Sequence, residues 1–524
     1  MNSVIDLPNE ILLAIFGLLT PVDQFNCQLV CQAWLMSSRQ IYYEKVKTNN
    51  TNTLALLRCL DSQRFHSSAY IKTLSIHFYP YFNCQRLLNK EEFTRLIQHC
   101  TNLERLLISP NSVYWDYLHP GLNLSRLTRL AYPELPSRTP SKTTSYYRSL
   151  HDFKTHLTSL DIHSACDHWI RNTFGHLLNY LAEFNHLKEL TISGGSQISI
   201  IHLNDVLKVC KQLTSLQFGL SHSFWAPDSK PTMTRYTALR YLDIYLPEFC
   251  IPSLEYIKTR FSELRHLKLL VFHGQTHPWT EEKTRYLQRE FIPYLQNLSS
   301  YSIKFDMEAG CEVMESTLLK HWPEGELVAF VDVSESTYER TQMTLIKDQE
   351  HKEIQYMTTW NPAYHLHPYL RYLYAFGPLL SKLTIKNYTQ TTSTPHLDTL
   401  LALCPSLHTF TLEAPAKDTC AIIPSTYQHR HLTILELKRV HLGIKALELL
   451  CAKGPGIKHV SITDSQLTYT HPCFDEDDDV IRECFSFLDK DDCQLVLNNV
   501  TLLMKNIMGM CGARKKYNST KIIF

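Results

Sequence analysis

Leu407-His408-Thr409-Phe410-Thr411-Leu412, Leu432-Thr433-Ile434-Leu435-Glu436-Leu437 and Ile457-Lys458-His459-Val460-Ser461-Ile462 are one phrase written three times, 25 residues apart. Each copy has an apolar residue, two free positions, a second apolar residue, one free position and a third apolar residue. The last two apolar positions are separated by one residue, the period of a strand with one buried face. A fixed step of this size marks a structural unit that is repeated and stacked, because no single unit buries its own apolar face.

The phrase recurs toward the N-terminus. Copies stand at Ile71/Leu74/Ile76, Leu103/Leu106/Ile108, Leu157/Leu160/Ile162, Leu187/Leu190/Ile192, Leu213/Leu216/Phe218, Leu239/Leu242/Ile244, Leu264/Leu267/Leu269 and Leu380/Leu383/Ile385. Weaker ones lie at Leu127/Leu130/Tyr132 and Leu298/Tyr301/Ile303, and the steps are mostly 24 to 34 residues. Between strands the spacing predicts helices at 91–100, 204–210, 397–404 and 446–451, each ending in a cysteine. Cys100, Cys210, Cys404 and Cys451 are therefore expected to pack inside rather than to serve redox chemistry. The pattern resembles the leucine-rich repeat, loosely its cysteine-type subclass, although the repeat lengths vary and the asparagine turn position is not kept. That resemblance implies a curved α/β solenoid of about a dozen repeats, with parallel strands inside and helices outside.

Two stretches break the rhythm. Residues 299–379 hold no clean phrase. Diverged repeats plus a loop, or an insertion carrying a hairpin, both fit there, and the sequence favours the first. The run from Pro133 to Tyr147 is rich in Pro, Ser and Thr and reads as a loop. Beyond Ile462 the pattern fades into an acidic run at 475–479 and a basic trio at 514–516, both read as solvated surface.

The first fifty residues follow a different rule. Pro8 and Glu10 open a helix, and Ile11, Leu12, Ile15, Phe16 and Leu19 follow at helical spacing. Thr20-Pro21-Val22-Asp23 marks the start of a second helix, with Thr20 as the cap. A third segment runs from Ala33 toward Tyr43. A block this small cannot bury so many apolar residues privately, so an interface is expected. Leu7-Pro8-x-Glu10-Ile11-Leu12-x-x-Ile15-Phe16, Pro21-x-Asp23 and Val30-Cys31-x-x-Trp34 resemble the F-box, with Gln32 in place of a frequent arginine. The resemblance implies a Skp-type adaptor as partner, contacted by Leu7, Pro8, Ile11, Leu12, Ile15, Phe16, Leu29 and Val30. Trp34 reads equally well as core of the block.

The fold expected is α+β overall: a small N-terminal all-α F-box at 1–48, a linker helix at 49–70, the α/β leucine-rich-repeat solenoid at 71–470 and a C-terminal cap or tail at 471–524. The chain has 524 residues, 44% hydrophobic and 20% charged, with a net charge of +1, so bulk charge favours neither nucleic acid nor membrane. No apolar run is long enough to span a bilayer, and the start has no basic, apolar leader. A cytoplasmic or nuclear location is expected, with the sixteen cysteines reduced. The fifteen glycines form no phosphate-binding loop, and no C-x-x-C is present. His163-x-x-Cys166-x-His168 fits no standard zinc spacing. No cofactor, metal or catalytic residue is expected.

On the inner strands, residues beside the apolar pair point away from the core. Asp161, His163, Tyr241, Asp243, Tyr245, Lys268, Lys304 and Lys386 occupy such positions and are the candidate substrate contacts. They are acidic and aromatic early and more basic from Lys268 to Lys386. The F-box resemblance implies a substrate-recognition subunit of an SCF-type ubiquitin ligase, bound through its adaptor to a cullin scaffold and holding a protein substrate. An adaptor-bound scaffold without ubiquitin transfer is the alternative.

Overall fold

The computed structural model describes residues 7–49, 52–62, 66–77, 87–122, 124–133, 143–163, 167–193, 203–218, 235–246, 249–273, 280–308, 326–333, 340–348, 352–360, 373–374, 376–386, 397–414, 420–421, 429–444, 447–448, 456–470, 493–505 and 511–523. The chain divides into two compact units, residues 1–245 with 256–264, and residues 246–255 with 265–524.

The first unit opens with three helices, α1 (Asn9–Gly17), α2 (Pro21–Cys27) and α3 (Gln32–Glu44). Thr20 caps α2 as its sequence predicts, with Oγ1 accepting from the Asp23 amide at 3.3 Å. Gln24 ties α2 to the end of α1, its Nε2 donating to the Phe16 and Leu19 carbonyls at 3.0 Å. Strand β1 (Lys45–Asn49) follows without a gap. It pairs in parallel with β2 (Thr73–His77), so the strand array starts at Lys45, inside the span assigned to the helical block, and not at residue 71. Between them lies α4 (Thr53–Asp61), within the expected linker.

From β2 each strand pairs in parallel with the next: β3 (Arg105–Ile108), β4 (Arg129–Ala131), β5 (Ser159–His163), β6 (Glu189–Ser193), β7 (Ser215–Phe218) and β8 (Tyr241–Leu246). The register places each copy of the phrase over the previous one. Leu160, Leu190, Leu216 and Leu242 form one row, and Ile162, Ile192, Phe218 and Ile244 another. All eight are buried. Each such side chain contributes roughly 1.5–3 kcal/mol by leaving water, so the rows hold the strands in this register against a one-residue slip.

Helices α5 (Lys90–His99), α6 (Thr143–Asp152), α7 (Asp167–Phe174), α8 (Leu177–Ala182) and α9 (Leu203–Val209) lie in the connections. A capping box starts α5: Asn89 accepts from the Glu92 amide and Glu92 from the Asn89 amide, both at 2.9 Å. The stretch expected to be a loop up to Tyr147 is corrected in part. Residues 134–142 lie outside the described residues, but Thr143 begins α6, and Tyr146 and Tyr147 are buried. Their rings join Trp115, Tyr132 and Tyr180, and Trp115 Nε1 donates to the Ser109 carbonyl at 3.0 Å. Tyrosines count as apolar bulk once the hydroxyl finds an acceptor, here the Asp161 carbonyl 3.1 Å from Tyr146 Oη.

The second unit begins with β9 (His266–His273) parallel to β10 (Ser300–Glu308). The expectation of diverged repeats plus a loop at 299–379 is overturned in favour of the hairpin. Strand β11 (Glu326–Val333) keeps the parallel direction, pairing with β14 (Leu380–Lys386). Strands β12 (Arg340–Lys347) and β13 (Lys352–Trp360) form an antiparallel hairpin that enters between β10 and β11. Met343, Leu345, Ile354 and Tyr356 are buried at alternate positions, a period-two pattern that supports strands without the three-residue phrase.

The parallel order resumes with β15 (Thr409–Glu413), β16 (Cys420–Ala421), β17 (Ile434–Lys438), β18 (Val440–Gly443), β19 (His459–Thr463) and β20 (Gln466–Thr470). Arg439, Asp464 and Asn499 all have positive φ, at 56°, 51° and 52°. The first two turn the chain from β17 to β18 and from β19 to β20. They stack: the Arg439 amide donates to the Thr463 carbonyl and the Asp464 amide to the Asn498 carbonyl, each at 2.9 Å. Asn499 Nδ2 reaches Asp464 Oδ1 at 2.7 Å. Strand β21 (Gln494–Lys505) bends at Asn499, pairing first with β19 and then with β20, and β22 (Cys511–Ile523) closes it antiparallel. The C-terminal segment thus continues the sheet.

Cys100, Cys210 and Cys404 end their helices and are buried, and burial pushes each thiol up to about 12. Cys451 lies outside the described residues.

Candidate functional site

The N-terminal helices present an apolar face that lies largely in water. Eleven large apolar side chains are exposed among the described residues, and eight of them fall within residues 11–36: Ile11, Ile15, Leu18, Val22, Phe25, Leu29, Val30 and Met36. The concentration matters because scattered exposed apolar residues are ordinary, whereas a contiguous set marks an interaction surface. Leu18 is 88% exposed, Leu29 74% and Val22 69%, values that leave most of each side chain in water.

Of the expected adaptor contacts, Pro8, Ile11, Ile15, Leu29 and Val30 lie on this exposed side, and Leu7 is half-buried. Leu12 and Phe16 are placed differently. Both are buried, and Phe16 meets Trp34 edge-on with ring centroids 5.3 Å apart. They support the face from beneath because α3 packs along α1 on that side, and helical spacing alone does not tell the two sides of a short apolar helix apart. Trp34 is half-buried. Leu18, Val22, Phe25 and Met36 were not among the expected contacts, which followed motif positions; their signal is the run from Ile11 to Ser38, which carries a single charged side chain, Asp23.

Within the first unit, Asp161 on β5 stands in register with Thr191, Gln217 and Asp243 on the next three strands. Asp161 is half-buried and ion-paired, with Arg129 Nη2 3.1 Å from its Oδ2. Tyr241, Asp243 and Tyr245 alternate along β8 with buried neighbours, all three half-buried on the outward side. His163 ends β5 opposite Ser193. The structure therefore brings Asp161 and Asp243 into one row, and Tyr241 into the adjacent row with Ser159, Glu189 and Ser215.

In the second unit, Lys268 on β9 is exposed and opposite Ser302, and Lys304 on β10 is half-buried and opposite Leu270. Lys386 is exposed at the end of β14. It lines a cavity of about 190 Å³ with Phe330, Val331, Gln342, Met357, Thr358 and Thr359. The hairpin strands β12 and β13 supply four of those residues, so the insertion shapes this hollow. Nearby charges on β15 and β17 are already paired, Glu413 with Arg439 and Glu436 with the Thr411 hydroxyl at 3.1 Å.

Among the described residues no group of three His, Cys, Asp or Glu is placed to hold a metal ion, and no helix is long and apolar enough to cross a membrane. Cys166 of the His163/Cys166/His168 constellation lies outside the described residues.

No curated protein matches the chain. The crystal structure of the Rad7 and Elc1 complex in yeast is similar to it at 11% identity and a TM-score of 0.29, over 87% of this chain and 88% of that one. The F-box-like family model matches residues 4–43, the span of the three helices and their exposed apolar face. Residues 4–43 are an F-box-like domain.

Proposed function

We propose that this chain is the substrate-recognition subunit of an SCF-type ubiquitin ligase. The F-box-like domain binds a Skp-type adaptor and, through it, a cullin scaffold. The strand array is a leucine-rich-repeat solenoid that captures a protein substrate. The observation that carries the reading is the exposed face of Ile11, Ile15, Leu18, Val22, Phe25, Leu29, Val30 and Met36 on the F-box-like domain. Burying such a face against a partner releases roughly 1.5–3 kcal/mol for each large side chain fully covered, before the costs of association.

The chain performs no chemistry in this reading. It raises the effective concentration of a substrate lysine beside a charged conjugating enzyme. Coupling that capture to turnover separates the ligase from an adaptor-bound scaffold. Proteins retained by the tagged chain are identified, and their half-lives are followed after the chain is depleted. Lengthened half-lives support ligase function. Unchanged half-lives for every retained protein, with adaptor binding intact, leave the scaffold.

A further inference from the structure

One row of the first unit's sheet begins at the residue that follows α3. Lys45 on β1, Thr73 on β2, Arg105 on β3 and Arg129 on β4 stand opposite one another in register. Lys45 and Lys47 are exposed and alternate with the half-buried Val46 and the buried Thr48, so both point to the outward side. Arg105 is exposed beside the buried Leu106. The side chains of Lys45, Lys47 and Arg105 make no ion pair among the described residues. Of the neighbouring carboxylates, Glu44 is engaged with Lys72 at 3.6 Å and Asp161 with Arg129 at 3.1 Å, while the exposed Glu104 lies one residue before Arg105, outside β3.

Adjacent strands lie about 4.8 Å apart, so the Lys45 and Arg105 backbones are about 10 Å apart, and Lys45 and Lys47 are about 6.6 Å apart along the strand. Like charges so placed repel, and nothing in the array's own packing requires them. Farther along the same row the sign reverses: Ser159 is followed by the exposed Glu189, and the adjoining row reaches Asp243.

We infer that this row, with Lys47 beside it in the adjoining row, docks an acidic segment of a partner protein, its carboxylates over Lys45, Lys47 and Arg105. Complementary charge across a surface steers encounter and fixes the direction in which a segment lies. Here acidic residues lie over β1–β3, and basic ones follow toward Glu189. A nucleic-acid backbone, negative along its whole length, would meet Glu189 and Asp243 as soon as it left the cationic end. Only the naming of the occupant as a substrate rests on the receptor reading; the surface itself does not need the adaptor.

The test is fluorescence anisotropy on the full chain with a short labelled peptide rich in Asp and Glu. The expected result is binding that weakens about ten-fold as salt rises from about 50 to about 300 mM. The Lys45→Gln/Arg105→Gln variant is expected to bind about ten-fold more weakly with an unchanged melting temperature. Lys47→Glu alone is a second, separately folded check in the same direction. Absence of binding by the wild type, equal binding by the variants, or insensitivity to salt overturns the inference. So does a single-stranded oligonucleotide that displaces the peptide and depends on the same lysine and arginine. Adaptor co-purification is read separately, so either idea can fail without the other.

Discussion

At Gly377 a Cβ atom would sit 2.3 Å from the Leu403 carbonyl oxygen, far inside van der Waals contact with backbone that has no rotamer to yield. Gly377→Ala is expected to cost about 1–3 kcal/mol of stability, measured by urea unfolding; an unchanged midpoint would refute the close approach. His429 makes a second demand on a single residue. It is buried, its Nε2 donates to the Cys404 carbonyl at 2.7 Å, and its Nδ1 accepts from the Leu432 amide at 3.1 Å. A proton on Nδ1 would break the second bond. Burial holds the His429 pKa below 6.5, opposed in part by the Cys404 carbonyl. The unfolded chain therefore binds the extra proton first, so this residue's contribution is present above pH 6.5 and is lost as pH falls through the folded value. His429→Leu should lose about 1–3 kcal/mol at neutral pH and show a shallower acid limb than the wild type; parallel limbs would contradict the assignment. Neither demand is visible in the sequence, because both depend on backbone groups brought close from a neighbouring repeat.

Elements were legible where one physical pattern dominated. The phrase ending in Leu160/Ile162, Leu190/Ile192 and Leu216/Phe218 is a strand because alternate residues are apolar, and the parallel rows follow from repetition. Helix α6 was hidden behind prolines and serines upstream, its buried face made of Tyr146, Tyr147 and Leu150 rather than an aliphatic stripe. The hairpin β12–β13 was hidden for the opposite reason, since two plain alternating strands carry no repeat phrase and their entry, antiparallel to β10 and parallel to β11, is decided by partners elsewhere in the chain. The helix-ending cysteines were read correctly at 100, 210 and 404. Burial pushes their thiols up to about 12 in the folded chain, from an ordinary value of 9.0, so stability falls as pH rises from 9 toward 12. In the native state these three should resist thiol reagents while the exposed Cys59 reacts. Rapid labelling of Cys100 or Cys404 without unfolding would show that the helix ends open.

For the whole molecule, the question is what covers the F-box-like domain. Motif positions located Ile11, Ile15, Leu29 and Val30 on its open side, but they also enrolled Leu12 and Phe16, which lie beneath it. That distinction sets two kinds of variant apart. Substituting Leu29 and Val30 with Asp should abolish adaptor binding and leave the melting temperature within a degree or so, because both side chains are already in water. Phe16→Ala should instead destabilise the domain by about 3–5 kcal/mol and weaken binding indirectly. The most direct measurement is calorimetric titration of the purified full chain with a purified Skp-type adaptor, wild type beside Leu29→Asp/Val30→Asp. Saturable binding with a negative heat-capacity change, lost in the folded double variant, is the result expected for an apolar docking face. A folded wild type that does not bind, or a double variant that binds as tightly as the wild type, would contradict the assignment of this face to the adaptor.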